Sequence, residues 1–243
     1  MTKPGFRVDT QKTHSRGKPL LRETLLEGLR RFPGDPGLIQ RLGRELETSG
    51  EWQLMQEVLQ RQLAHVPAGS PLEAQVDYLL AKASIELGEE RRALAMIGRS
   101  LLLRPNFAFS HHIKGRALAS LRLFSEAITA QRCCVELAPE FSWGWFELGC
   151  LLRRQGDLEG AIAHLRRCLT LQAVSDQQHH VLVLSTLQDV ERELALKERK
   201  EAALSLWPER PPPHEGERLA IFDEMELQIE QFRLFLDSRS SVR

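Results

Sequence analysis

A spacing of 34 residues governs this chain. Pro33, Pro67, Pro105 and Pro139 each follow a stretch ending in leucine, at intervals of 34, 38 and 34 residues. The longer interval has a visible cause, a four-residue turn-forming insert, Ala68 to Pro71, whose removal restores 34 throughout. Three further rows keep the same period, and the two that span the insert show the same 38-residue step. Gly50, Gly88 and Gly156 form one, with Arg122 in the third place. Gly43, Ala81, Gly115 and Gly149 form the second, and Ala93, Ala127 and Ala161 the third. A period of this length marks a supersecondary unit that must stack on its neighbours to bury its apolar faces.

The clearest unit runs from Ser142 to Leu171 and reads as a helical hairpin. Trp145, Leu148 and Leu152, then Ala161, Leu165 and Leu169, fall on helical faces, and Gln155, Gly156 and Asp157 interrupt the pattern where the chain reverses. Asp157 is placed to cap the second helix by accepting from its free N–H groups. The small-residue rows fit closely crossing helices, where an added methylene costs about 1–3 kcal/mol.

On these residues the chain resembles the tetratricopeptide repeat family, whose hairpins carry a Trp, a Leu-Gly pair, a mid-turn Gly, an Ala and a closing Pro. The Ser142 unit has Trp145, Leu148-Gly149, Gly156 and Ala161, with Ala173 in place of the proline. Residues 108–141 keep Gly115, Phe124, Ala127 and Pro139; 74–107 keep Leu80-Ala81, Gly88, Ala93 and Pro105; 36–69 keep Leu42-Gly43, Gly50, Trp52 and Pro67. The resemblance implies an all-α fold, an α-solenoid in which antiparallel helix pairs wind into a right-handed superhelix. The hairpins are expected at about 36–69, 74–107, 108–141 and 142–173, within a solenoid spanning 18–206.

Around the repeats the pattern changes. Residues 1–17 are polar, basic and without period, and read as a flexible arm. Leu20, Leu21, Leu25, Leu26 and Leu29 then line a leading helix that Phe32, Pro33 and Gly34 stop. After Leu171 the period fails, and Gln177 to Leu206 holds neither Gly nor Pro. This predicts one long C-terminal capping helix over 176–206, with Val181, Leu184, Leu187 and Val190 against the last hairpin. A proline-rich linker follows at 207–214. Residues 215–243 read as an acidic amphipathic tail helix with a frayed end.

The chain of 243 residues is 42% apolar, enough for a sizeable core, and 33 basic groups balance 33 acidic ones. That balance disfavours nucleic acid as a partner, as does the lack of aromatic residues interleaved in the basic arm. No apolar run suggests a signal peptide or membrane insertion, and four cysteines without CxxC spacing fit reduced thiols. A cytoplasmic location is expected. Phosphate loops, nucleophile elbows and zinc-protease motifs are all missing, so the expectation is a protein that is not an enzyme, with no cofactor and no metal. Cys134 and Cys168, one period apart, read as small packing residues.

In repeats of this type the first helix of each hairpin lines a concave groove. The position after each small row gives Arg44, Lys82, Arg116 and Cys150; one turn earlier lie Tyr78, His112 and Phe146, and three residues before those Phe109 and Trp143, with Arg153 extending the basic character. Cations combined with rings suit a partner offering carboxylates and apolar side chains. The function expected is therefore a protein-interaction scaffold or assembly factor binding an acidic, apolar peptide or helix. The alternative is a non-catalytic, substrate-holding component of an enzyme system such as a transferase. Residues 215–236 have the sign and anchor spacing to occupy the groove themselves, within one chain or between two.

Overall fold

The structure, a computed structural model, describes residues 18–171 and 177–205. The arm, the linker and the acidic tail named above lie outside the described residues. Those up to Leu194 form one compact unit, and those from Ala195 on belong to a second.

The described residues are helical throughout, joined by short turns, and no strand occurs among them. The leading helix α1 (Lys18–Arg31) is followed by four pairs: α2 (Pro36–Ser49) with α3 (Trp52–Leu63), α4 (Pro71–Glu86) with α5 (Glu90–Leu103), α6 (Ala108–Ser120) with α7 (Phe124–Leu137), and α8 (Ser142–Gln155) with α9 (Leu158–Leu171). A last helix, α10 (Gln177–Ser205), closes the series. Among the described residues the fold is the expected all-α solenoid of antiparallel helix pairs with a long capping helix.

The turn row acts through the backbone. Gly50, Gly88 and Gly156 have φ of 71°, 76° and 86°, and Arg122 takes the same left-handed conformation at φ 63°. At each, two N–H groups fold back on the last carbonyls of the preceding helix. Gly88 N and Glu89 N donate to Ile85 O and Ser84 O at 3.0 and 2.8 Å, and Arg122 N and Leu123 N to Ala119 O and Leu118 O at 3.0 and 2.9 Å. These are Schellman closures, and they satisfy carbonyls that a helix end would otherwise leave bare. At the other ends, Asp35 accepts from Leu38 N at 2.8 Å, Ser70 from Glu73 N at 3.1 Å and Asp157 from Gly160 N at 2.9 Å. The insert before α4 thus supplies both the N-cap Ser70 and the first-turn Pro71.

The small row lets the two helices of a pair approach. A Cβ on Gly115 would lie 2.8 Å from Gln131 Nε2, and one on Gly149 would lie 2.8 Å from Leu165 Cγ. Between hairpins, Trp145 Nε1 donates to Pro139 O at 2.8 Å, and one period earlier His111 Nε2 contacts Pro105 O at 2.8 Å. Since a carbonyl only accepts, the His111 nitrogen is the donor, and the two rings do the same job at the same repeat position. On α10 the buried face is Val183, Leu187 and Val190, which share a core with Leu165 and Cys168. Val181, expected on that face, is 64% exposed. The helical phase explains this, because Val183 shares a stripe with Leu187 and Val190, and Val181 is turned away from it.

Candidate interaction groove

The first helices α4, α6 and α8, with the end of α2 and Trp52 of α3, enclose a cavity of about 580 Å³. Six of the residues singled out in the sequence meet on its wall: Tyr78, Lys82, Phe109, His112, Arg116 and Trp143. Three do not. Arg44 remains exposed on α2, away from the cavity. Phe146 is buried in the core, 5.7 Å from the ring of His179 on α10. Arg153 uses its Nε and Nη2 to grip the Glu193 carboxylate of α10, the Nε bond being 3.0 Å. Both of these α8 side chains face the capping helix instead of a ligand.

One wall is aromatic. Tyr78, Phe107, Phe109 and Phe141 make successive edge-to-face contacts with centroids 5.1, 5.8 and 5.1 Å apart, and His112 meets Phe141 at 5.1 Å. Such pairs contribute about 0.5–1.5 kcal/mol beyond their buried area and fix the ring orientations. Phe109 and Trp143 are each 39% exposed, so their surfaces remain available. Trp143 is held flat by the His179 ring, 3.6 Å away and 8° from parallel. Phe107 and Phe141 escaped the sequence reading because they precede their helices, outside the periodic faces. A signal existed: they lie 34 residues apart, each two positions after a closing proline.

The opposite wall is charged, and its cations are already engaged. Lys82 Nζ pairs with Glu47 of the preceding hairpin, and Arg116 Nη2 donates to Glu86 Oε1 at 2.9 Å. Glu147 also lines the cavity, and among the described residues no cation lies within ion-pair distance of it. It borders a second recess of about 200 Å³ together with Arg116, Ser120, Cys150 and Arg154.

Burial sets the protonation of this surface. It pushes His112 down to about 4, helped by Arg116 and Lys82 and opposed by the hydrogen bond to Gln131, so the imidazole is neutral at pH 7. It pushes Tyr78 up to about 12, with Glu47 acting in the same direction, and Cys150 up to about 12. A thiol this hard to ionise is a poor nucleophile. Cys134 and Cys168 are fully buried, and all four thiols are free. Among the described residues no group of three His, Cys, Asp or Glu side chains could hold a metal ion, and no helix is long and apolar enough to cross a membrane.

Residues 142–172 match the tetratricopeptide repeat family. No curated protein matches the chain. Among solved structures, a thermophilic TPR protein of Thermus thermophilus, TTC0263, is similar with a TM-score of 0.59 at 20% identity, over 70% of this chain and 91% of that one. MamA from Desulfovibrio magneticus RS-1 aligns with a TM-score of 0.54 at 20% identity, over 67% and 89%. YrrB, described as a TPR protein with an unusual peptide-binding site, aligns with a TM-score of 0.51 at 15% identity, over 70% and 84%. At these identities the likeness concerns the fold. Residues 142–172 therefore carry a tetratricopeptide repeat, and the paired helices share the fold of solved TPR proteins.

Proposed function

We propose that this protein is an interaction scaffold that holds a peptide or helix of another protein in the groove formed by α4, α6 and α8. One observation carries the reading: a cavity of about 580 Å³ with a preformed aromatic wall, in which Phe109 and Trp143 remain exposed. Preorganised rings bind with little loss of side-chain freedom, and they serve best as anchors for apolar side chains of the partner. YrrB, of the same fold, has a peptide-binding site by its description, which supports the use of such a surface in this chain. Free thiols fit a reducing, cytoplasmic setting.

The groove's charge sharpens the nature of the partner. Lys82 and Arg116 are each paired with a carboxylate of the neighbouring hairpin, so an acidic ligand must displace Glu47 or Glu86. Apolar anchors therefore carry the affinity, with acidic contacts as an exchange at the rim.

The test is capture from a lysate of the source cells, with mass spectrometry, using the full chain and the double variant Phe109→Ala, Trp143→Ala. Both side chains are partly exposed, so the variant keeps its helical circular dichroism. Partners retained at full yield by the folded variant would overturn the groove as the binding surface.

A further inference from the structure

We infer that Glu147 is the docking carboxylate of this groove, receiving a lysine or arginine side chain of the captured segment while the stem of that side chain lies on the neighbouring aromatic rings. The inference rests on the groove reading above and specifies the chemistry of its occupant.

Three carboxylates and two cations line the large cavity, and their pairing is uneven. Glu47 is held by Lys82, and Glu86 by Arg116. Glu147 has no such partner within 4 Å among the described residues. The two arginines near enough to act on it are otherwise engaged: Arg116 is bonded to Glu86, and the Arg154 guanidinium lies over the Phe124 ring, 5.7 Å from its centroid. Burial raises the Glu147 pKa and outweighs the pull of both arginines, which marks a carboxylate with incomplete compensation. A third cation, brought by a ligand, supplies what the chain leaves out.

The surroundings suit a long cationic side chain. Glu147 borders both the main cavity and the recess of about 200 Å³, so a ligand crossing the groove passes its carboxylate. Phe109, Phe141 and Trp143 line the same cavity, and aromatic faces attract both the methylene stem and the charged head of Lys or Arg. An acidic side chain in that place would meet Glu147 itself.

The test uses the full chain and a random peptide library displayed on phage. The unmodified protein is expected to select peptides with apolar anchors and a recurrent Lys or Arg, and Glu147→Gln to lose the basic preference while keeping the anchors. Replacing the basic residue of the best peptide by norleucine should weaken binding to the unmodified protein about tenfold and leave binding to Glu147→Gln unchanged. The ligand-side change needs no variant to fold. Selected peptides rich in Asp or Glu, a basic preference that survives Glu147→Gln, or anchors without any charge preference each overturn the assignment to Glu147. If those peptides still lose binding to the Phe109→Ala, Trp143→Ala variant, the groove reading stands without it. Enrichment of no peptide, or of peptides indifferent to that double variant, overturns both.

Discussion

Arg116 on α6 donates to Glu86 on α4 at 2.9 Å, across the boundary between two hairpins, and each side chain is about 30% exposed. Lys82 makes the corresponding reach from α4 to Glu47 on α2, and Arg153 ties α8 to Glu193 on α10. The cations of the inner face thus join consecutive elements of the solenoid. Repeat proteins gain stability mainly from such nearest-neighbour interfaces. Arg116→Ala should lower unfolding stability by about 1 kcal/mol, and a double-mutant cycle with Glu86→Ala should return a coupling of about 0.5 kcal/mol that shrinks in high salt. Urea denaturation at two salt concentrations measures both. Arg116→Glu should cost more than Arg116→Ala, because it sets a second carboxylate against Glu86.

A different pair lies inside one hairpin. Asp77 on α4 is fully buried and bridged by Arg99 of α5, with Nε to Oδ2 at 3.0 Å and Nη2 to the other oxygen. Asp77 occupies the repeat position that the next two hairpins fill with His111 and Trp145. Removing Arg99 leaves a buried carboxylate without its counter-charge, whereas removing both groups does not. Arg99→Ala should therefore destabilise by about 3 kcal/mol, and the double variant Asp77→Leu, Arg99→Leu by clearly less. Equal losses would mean that packing, not charge, dominates this site.

The repeat period made the fold legible, and for a physical reason: packing at a close crossing and a left-handed turn admit few residue types. The groove was legible only in part. Helical phase places Tyr78, His112, Phe109 and Trp143 on one side of successive first helices, and all four line the same cavity. It could not show that Lys82 and Arg116 are paired, since Glu47 and Glu86 come from other hairpins and occupy different repeat positions. Phe146 and Arg153 have the right phase too, but α10 covers them, and α10 does not follow the period. Contacts made by the nonrepeating end are invisible to an argument from repetition.

Three backbone positions give opposite expectations for similar chemistry. Gly149→Ala forces a Cβ to 2.8 Å from Leu165 Cγ and should cost about 1–3 kcal/mol. Gly98 lies within α5 with nothing inside 4 Å of an added Cβ, so Gly98→Ala should stabilise by about 0.5–1 kcal/mol. Arg122 holds φ 63° where the sister turns use glycine, and Arg122→Gly should stabilise by about 0.5–1 kcal/mol after the entropy of the freer unfolded chain is subtracted. Thermal melting of the three variants should give one decrease and two increases. The same sign for Gly149→Ala and Gly98→Ala would contradict the assigned packing.

His112 sets the acid limit of the groove. Its folded pKa of about 4, lowered chiefly by burial and then by Arg116, lies below the 6.5 of an ordinary histidine. Between those values the unfolded chain binds a proton that the folded chain refuses, so stability rises with pH there. The full contribution is present above pH 6.5 and is lost as pH falls toward 4, at about 1.4 kcal/mol per pH unit. His164, also lowered by burial, adds a slope of the same sign. His112→Gln should therefore flatten, but not abolish, the decline in denaturation free energy between pH 6.5 and 4. The imidazole resonances of the folded protein should show His112 titrating near 4. A His112 midpoint near 6.5 would mean that the ring, 5.1 Å from Phe141, is open to water and that this part of the aromatic wall is not closed.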